Sequence, residues 1–244
     1  MKKIFFASCT LLFASLFGEI QFQHRWNDYA THQPVLYEIA MNTKGPIIEL
    51  GCGHGSTDML HEICKQTNRI LVTVEDDLEW MTRFTTKYLG DGYEKDNSGW
   101  HKFYYVPGKP PTPPEGINDP IAQHWRDFFD GFDLFDKLQF DLCFVDQSPG
   151  SARTVAIERF KDKARFFILH DCDCFVSGEL GYSICKMDPD NYIPGVYDFS
   201  KTFKAYKVFF PIAPWPGRSG PPTLLGSNFE SDLPDVDYNK YGSP

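Results

Sequence analysis

Residues 46–57 read P-I-I-E-L-G-C-G-H-G-S-T, and the fold follows from how that stretch is parsed. A short apolar run, Ile47, Ile48 and Leu50 with Glu49 among them, leads straight into three glycines at alternating positions, Gly51, Gly53 and Gly55. Ser56 and Thr57 come next, and Asp58 to Ile63 then carries a helical spacing of apolar residues. The parse is a strand, a tight turn and a helix N-terminus. Glycines in such a turn allow positive φ and let a ligand come close to bare main-chain N–H groups. Ser56 and Thr57 are good N-cap residues, so the first N–H groups of the helix are expected to face the same place. The spacing is not G-x-G-x-x-G. It is E-x-G-x-G-x-G, with an acid two residues before the first glycine.

Arg69 to Val74, R-I-L-V-T-V, reads as a second strand, and Glu75 ends it twenty residues after Gly55. That distance accommodates one crossover helix, and a carboxylate at its end can accept two hydrogen bonds from a vicinal diol. Asp76 and Asp77 open the next helical stretch, where acids favour the helix dipole and a ligand role is open to them as well.

This combination resembles the first motifs of the class I, Rossmann-like, S-adenosylmethionine-dependent methyltransferases. The resemblance implies a doubly wound α/β sheet, mostly parallel, with a C-terminal antiparallel hairpin. It implies S-adenosylmethionine as cofactor, held by the turn of Glu49, Gly51, Gly53 and Gly55, with Glu75 and the adjacent Asp76 on the ribose side.

The rest of the chain bounds the alternatives. With 244 residues, 42% of them hydrophobic and 16% aromatic, it can bury one sizeable core. Its net charge of −9, with no basic stripe interleaved with aromatics, argues against a nucleic-acid partner. Met1-Lys2-Lys3 and the apolar run Ile4 to Phe17 predict a signal peptide or uncleaved membrane anchor over residues 1–18, hence the secretory pathway or a membrane. Without a leader the chain belongs in the cytoplasm. The seven cysteines show no regular framework, and pairing cannot be deduced from them.

In order, Glu19 to Met41 reads as a helical lead-in broken by Pro34, of a kind that often lies over the cofactor in the methyltransferases. Lys102 to Val106 reads as a third strand, and Pro107 to Pro120, with six prolines, as an extended loop or substrate lid. Ile121 to Leu138 is helical with an interruption near Gly131; Phe140 to Val145 is a buried strand ending in Asp146; a helix runs from about Thr154 to Phe160. Ala164 to Leu169 is the next strand and ends in His170-Asp171. Ala205 to Phe210 and Thr223 to Gly226 form a last pair, closing a catalytic domain over 19–230 ahead of a loose acidic tail, 231–244.

Ligands of open α/β sheets sit outside the carboxyl ends of the strands, and four strands here end in polar candidates. Asp146 and His170 are candidates for a general base, with Asp171 orienting His170 or joining a divalent metal. Cys172 and Cys174 lack two further ligands at zinc-like spacing, so no metal ligand set is assigned.

Three stretches, V-E-D-D-L-E-W (74–80), F-V-D-Q-S-P-G (144–150) with Arg153, and F-I-L-H-D-C-D (167–173), are similar to the plant glucuronoxylan O-methyltransferases and their relatives in polysaccharide biosynthesis. That resemblance implies a sugar, uronic acid or other small hydroxyl acceptor and an N-terminal membrane anchor. The first motif and the Gln147-Ser148 insert depart from the pattern. Competing expectations are a nicotinamide oxidoreductase, disfavoured by the missing G-x-G-x-x-G, and a secreted or anchored carbohydrate-binding protein on a Rossmann-like scaffold.

Overall fold

A computed structural model describes residues 30–90, 99–111, 120–148, 150–172, 199–209 and 221–241. The expected leader, the middle of the proline-rich loop, Asp173, Cys174, Cys185 and most of the connection before residue 221 lie outside the described residues. Among the described residues, no helix is long and apolar enough to cross a membrane.

The stretch that opens the sequence argument is the middle of the sheet. β1 (Ile47–Leu50) pairs in parallel with β2 (Leu71–Glu75) on one side and β4 (Phe140–Val145) on the other. β3 (His101–Tyr105) extends the sheet beyond β2, and β5 (Ala164–Leu169) beyond β4, both parallel. β7 (Thr223–Ser227) pairs antiparallel to β5, and β6 (Ala205–Phe209) antiparallel to β7. The order is therefore β3-β2-β1-β4-β5-β7-β6, the doubly wound α/β arrangement with an antiparallel C-terminal hairpin that the sequence predicts. The direction of winding reverses between β1 and β4, which opens a crevice beyond their carboxyl ends.

Alternation along the strands divides the core into two layers. Ile48, Leu50, Cys143, Val145, Phe167 and Leu169 pack with α4 (Pro120–Asp130) and α6 (Gly150–Phe160). Ile47, Leu71, Leu142, Phe144 and Ile168 pack with α1 (Gln33–Asn42) and α2 (Thr57–Thr67). The strand runs are apolar almost throughout because both faces are covered.

Among the described residues the expected lead-in is helical only from Gln33, with Pro34 in the first turn of α1, where its missing N–H has no partner to lose. Two expectations are corrected. α6 begins at Gly150, some four residues before the expected Thr154. The tail is not loose over its described part, because Leu233 and Val236 are buried among the α1 and β5 side chains. A 3-10 turn, Tyr238–Tyr241, then carries the Tyr241 hydroxyl to Glu38, to which it donates. Lys207 adds polar ties to Leu233 O and Asp235, and Lys240 a further one to Glu38. The break near Gly131 is as expected, with α5 (Leu134–Lys137) following it.

Candidate functional site

The glycine turn is built against the neighbouring strand ends. Of its three glycines, Gly51 is the one at positive φ (89°), and a Cβ there would lie 2.7 Å from the Gln147 nitrogen. No side chain fits between the β1 turn and the backbone after β4. A Cβ on Gly53 would meet nothing within 4 Å, so that glycine faces open space. The N–H groups of the turn are less bare than expected. Gly51 donates to Val74 O, Cys52 to Glu75 Oε2, Gly53 to the Thr57 hydroxyl, and Ser56 and Thr57 to Gly53 O. Ser56 occupies the N-cap position of α2 without a capping hydrogen bond from its side chain. The lead-in does lie on the turn: Gln33, the first residue of α1, donates its amide to Gly55 O at 2.8 Å.

Glu75 stands beside this turn at the end of β2. Its Oε1 accepts the Asp76 and Asp77 N–H groups, and its Oε2 accepts Cys52 N–H at 2.7 Å. The Cys52 thiol bonds the same carboxylate, a weak donor that a ligand hydroxyl can replace. Burial pushes the Glu75 carboxyl up to about 7, against the pull of the Asp77 and Cys52 N–H groups. Asp77 caps α3 (Leu78–Leu89) by accepting from Glu79 and Trp80 N–H. Asp76 is buried and occupied on both oxygens, by Lys109 Nζ at 2.8 Å and Trp125 Nε1 at 3.1 Å. Lys109 also donates to Ser148 O, so the start of the proline-rich loop is tied down across the β2 and β4 ends.

Glu49 points to the α1–α2 face of the sheet and is fully buried, away from the crevice. Thr57 donates to its Oε1 at 3.0 Å and Thr73 to its Oε2 at 2.8 Å. Because Thr57 also accepts Gly53 N–H, Glu49 braces the turn from beneath. The chain of polar groups continues outward: Thr73 Oγ1 lies 3.0 Å from His101 Nε2, and His101 Nδ1 lies 2.8 Å from His61 Nδ1. Thr73 gives its proton to Glu49, so it accepts from His101 Nε2–H, and His61 must then donate to His101. Burial pushes Glu49 up to about 8 and His101 down to about 2.

The second half of the site lies beyond β4 and β5. His170 Nδ1 is 3.0 Å from Asp146 Oδ1, and its Nε2 is 3.0 Å from Thr31 Oγ1 and 3.3 Å from Asp171 Oδ1. Burial opposes the charged imidazole, but Asp146 and Asp171 outweigh it and hold His170 above its ordinary value. Burial likewise opposes the Asp146 carboxylate, and His170 outweighs it, keeping Asp146 below the usual range. Arg153, on α6, ties these groups together: Nε donates to Gln147 O, Nη1 to His170 O, and Nη2 to Asp146 Oδ1 and Asp171 Oδ2. Asp171 adopts left-handed backbone (φ 51°) at the turn out of β5.

The structure thus brings Asp146, His170 and Asp171 together, and separately Gly51, Gly53, Glu75 and Asp76 at the neighbouring strand ends. Both nitrogens of His170 are engaged and the side chain is 2% exposed, whereas Asp146 and Asp171 are 26% and 37% exposed. The carboxylates, not the imidazole, are open to the crevice. Sequence reasoning missed Thr31 and His32, which flank His170 from the start of α1; His32 stacks edge-on against His170 with ring centroids 4.4 Å apart. It also missed the Thr57–Glu49–Thr73 brace. Cys52, Cys64 and Cys143 are free thiols.

No family model and no curated protein matches the chain. Among solved structures, it aligns with a putative O-methyltransferase from Klebsiella pneumoniae at 15% identity and a TM-score of 0.44, over 84% of this chain and 81% of that one. It aligns with human methyltransferase-like protein 13 in complex with SAH at 16% identity and a TM-score of 0.44, over 82% of this chain and 81% of that one. The fold assignment rests on the sheet order and strand directions alone.

Proposed function

We propose that this chain is an S-adenosylmethionine-dependent methyltransferase acting on the hydroxyl of a small acceptor, a sugar or uronic acid being the first class to try. The observation that carries the reading is the contact of Glu75 with Cys52 N–H. It sets a buried acid, bonded otherwise by backbone N–H groups and the weakly donating Cys52 thiol, against a glycine turn at the switch point of a doubly wound sheet, where a cofactor ribose would be recognised. In the transfer, an acceptor oxygen attacks the sulfonium methyl in line, the carbon–sulfur bond breaks to leave S-adenosylhomocysteine, and the hydroxyl proton must be taken up. Asp146 and Asp171 are the exposed bases on the acceptor side, with His170 and Arg153 fixing their positions.

Calorimetry on the full chain tests the cofactor half. S-adenosylmethionine or S-adenosylhomocysteine is expected to bind with a dissociation constant on the order of micromolar. Heat with a nicotinamide dinucleotide and none with either sulfur ligand would overturn the reading. The acceptor half is tested by release of S-adenosylhomocysteine with uronic-acid oligosaccharides and then catechol-type phenols. Asp146→Ala is expected to lower turnover by about 10² to 10⁴ while leaving cofactor affinity nearly unchanged. Cofactor binding with no transfer to any acceptor would favour a binding protein on this scaffold.

A further inference from the structure

We propose that His32, Asp146 and His170 form a binding site for a divalent transition metal, which would leave Asp171 as the base on the acceptor side when the ion is bound. The three residues come from three separate places, the N-cap of α1 and the ends of β4 and β5. One donor atom from each lies within 4.8 Å of the others. Both imidazoles are buried, and the His32 ring is held between Phe144, at 4.8 Å between centroids, and His170, at 4.4 Å.

The hydrogen bonds around His170 leave room for a cation at this point. The Thr31 hydroxyl donates its proton to Pro221 O at 2.8 Å, so toward His170 it can only accept. His170 Nε2 therefore carries a hydrogen, which the Asp171 carboxylate 3.3 Å away also requires. In a neutral ring that leaves a lone pair on Nδ1, facing a carboxylate oxygen of Asp146 only 3.0 Å away. Two acceptors at that separation need a positive centre between or beside them, either a second ring proton or a metal ion. Two ligand atoms sharing a metal at ordinary bond lengths of about 2.0–2.2 Å sit at just such a separation. The Thr31 and Pro221 link then supplies the outer hydrogen bond that fixes a ligating imidazole and its tautomer.

Charge is compatible with a cation. With both imidazoles neutral, Asp146 and Asp171 contribute two negative charges against one positive charge on Arg153, leaving the cluster negative. Two imidazoles and one carboxylate suit zinc, cobalt, nickel, manganese or ferrous iron over magnesium or calcium. Three protein ligands leave positions open on the ion, as catalytic metal sites do. If the methyltransferase reading holds, those positions are where an acceptor hydroxyl would bind and become more acidic. The binding claim itself does not depend on that reading.

The test uses the full chain, stripped with a chelator and titrated with Co2+ alone, followed by visible absorption and by equilibrium dialysis. One Co2+ per chain is expected, displaced by Zn2+ and not by a large excess of Mg2+. His32→Ala and Asp146→Asn should each weaken uptake by about tenfold or more. His124→Ala, on α4 and outside this cluster, should leave it unchanged. Circular dichroism identifies any variant that fails to fold, and either ligand variant suffices for the decision. Absence of stoichiometric Co2+, or undiminished uptake by a folded His32→Ala chain, would overturn the site. Uptake is measured without S-adenosylmethionine or acceptor, so its failure and failure of the methyltransferase reading are separate results.

Discussion

The Glu75 carboxylate accepts the Cys52 N–H at 2.7 Å, joining the end of β2 to the turn after β1. For a diol-bearing cofactor seated there, Glu75 binds best when ionised, as acceptor of a hydroxyl proton, and burial has pushed its carboxyl up to about 7. Affinity for S-adenosylhomocysteine should therefore rise with pH up to and through about 7. Glu75→Gln should flatten that profile, and Glu75→Ala should cost about 1–3 kcal/mol of binding at pH 8. Calorimetry from pH 6 to 8.5 reads all three; a flat profile in the parent protein would remove Glu75 from the cofactor site.

Two glycines of the same turn should respond oppositely to a single methyl group. Gly51→Ala forces a left-handed φ onto alanine and a Cβ into the Gln147 backbone, for a loss of about 2–4 kcal/mol in stability. Gly53→Ala adds its Cβ to open space and should change stability by less than about 1 kcal/mol. If a ligand approaches the turn at Gly53, the second variant should nonetheless lose cofactor affinity. Urea denaturation and calorimetry on the pair separate these effects.

Glu49 predicts how stability varies with pH. Its carboxyl is raised in the folded chain from 4.5 to about 8, so between those values the native state binds a proton that the unfolded chain does not. The sign follows: stability falls as pH rises through that window, at no more than about 1.4 kcal/mol per pH unit for one group. Glu49→Gln should remove that part of the slope, because an amide cannot ionise and can still bond Thr57 and Thr73. Denaturation midpoints at pH 5.5 and 8 decide it; an unchanged slope in the variant would assign the effect elsewhere.

Asp76 holds Lys109 and Trp125 from the end of β2. Asp76→Ala strands a buried indole N–H and a lysine ammonium, and should cost about 2–4 kcal/mol by chemical denaturation. Asp76→Asn keeps an acceptor for Trp125 and should recover part of the loss. Full recovery would mean that the Lys109 ion pair contributes nothing.

Strands β1, β2, β4 and β5 were legible because each is a largely apolar, largely buried run, bounded by Gly51, Glu75, Asp146 and His170 respectively. Those boundaries are also the candidate site, so much of the site was legible with the fold. Residues that act from outside a strand end were not. His32 and Thr31 precede a proline-started helix and reach His170 across 138 and 139 positions of chain, a proximity that local pattern cannot encode. Glu49 was taken for a ligand because it stands beside the glycines in sequence. Strand alternation turns it onto the α1–α2 face of the sheet, among Thr57 and Thr73. Asp76 looked available because it follows Glu75 at the start of a helix, and it is occupied from two later segments.

The approach of Gly51 to the Asp146–Gln147 peptide sets the glycine turn and the Asp146 loop back to back, with no room for a side chain between them. Neither can be reshaped alone. If the methyltransferase reading holds, any redesign of acceptor preference that shifts residues 146–147 moves the floor under the turn, so altered selectivity and weakened cofactor retention should arrive together in the same variants. Asp171 lies one strand further away but shares Arg153 with Asp146 and Gln147, so a change at its carboxylate reaches the same contact through that guanidinium.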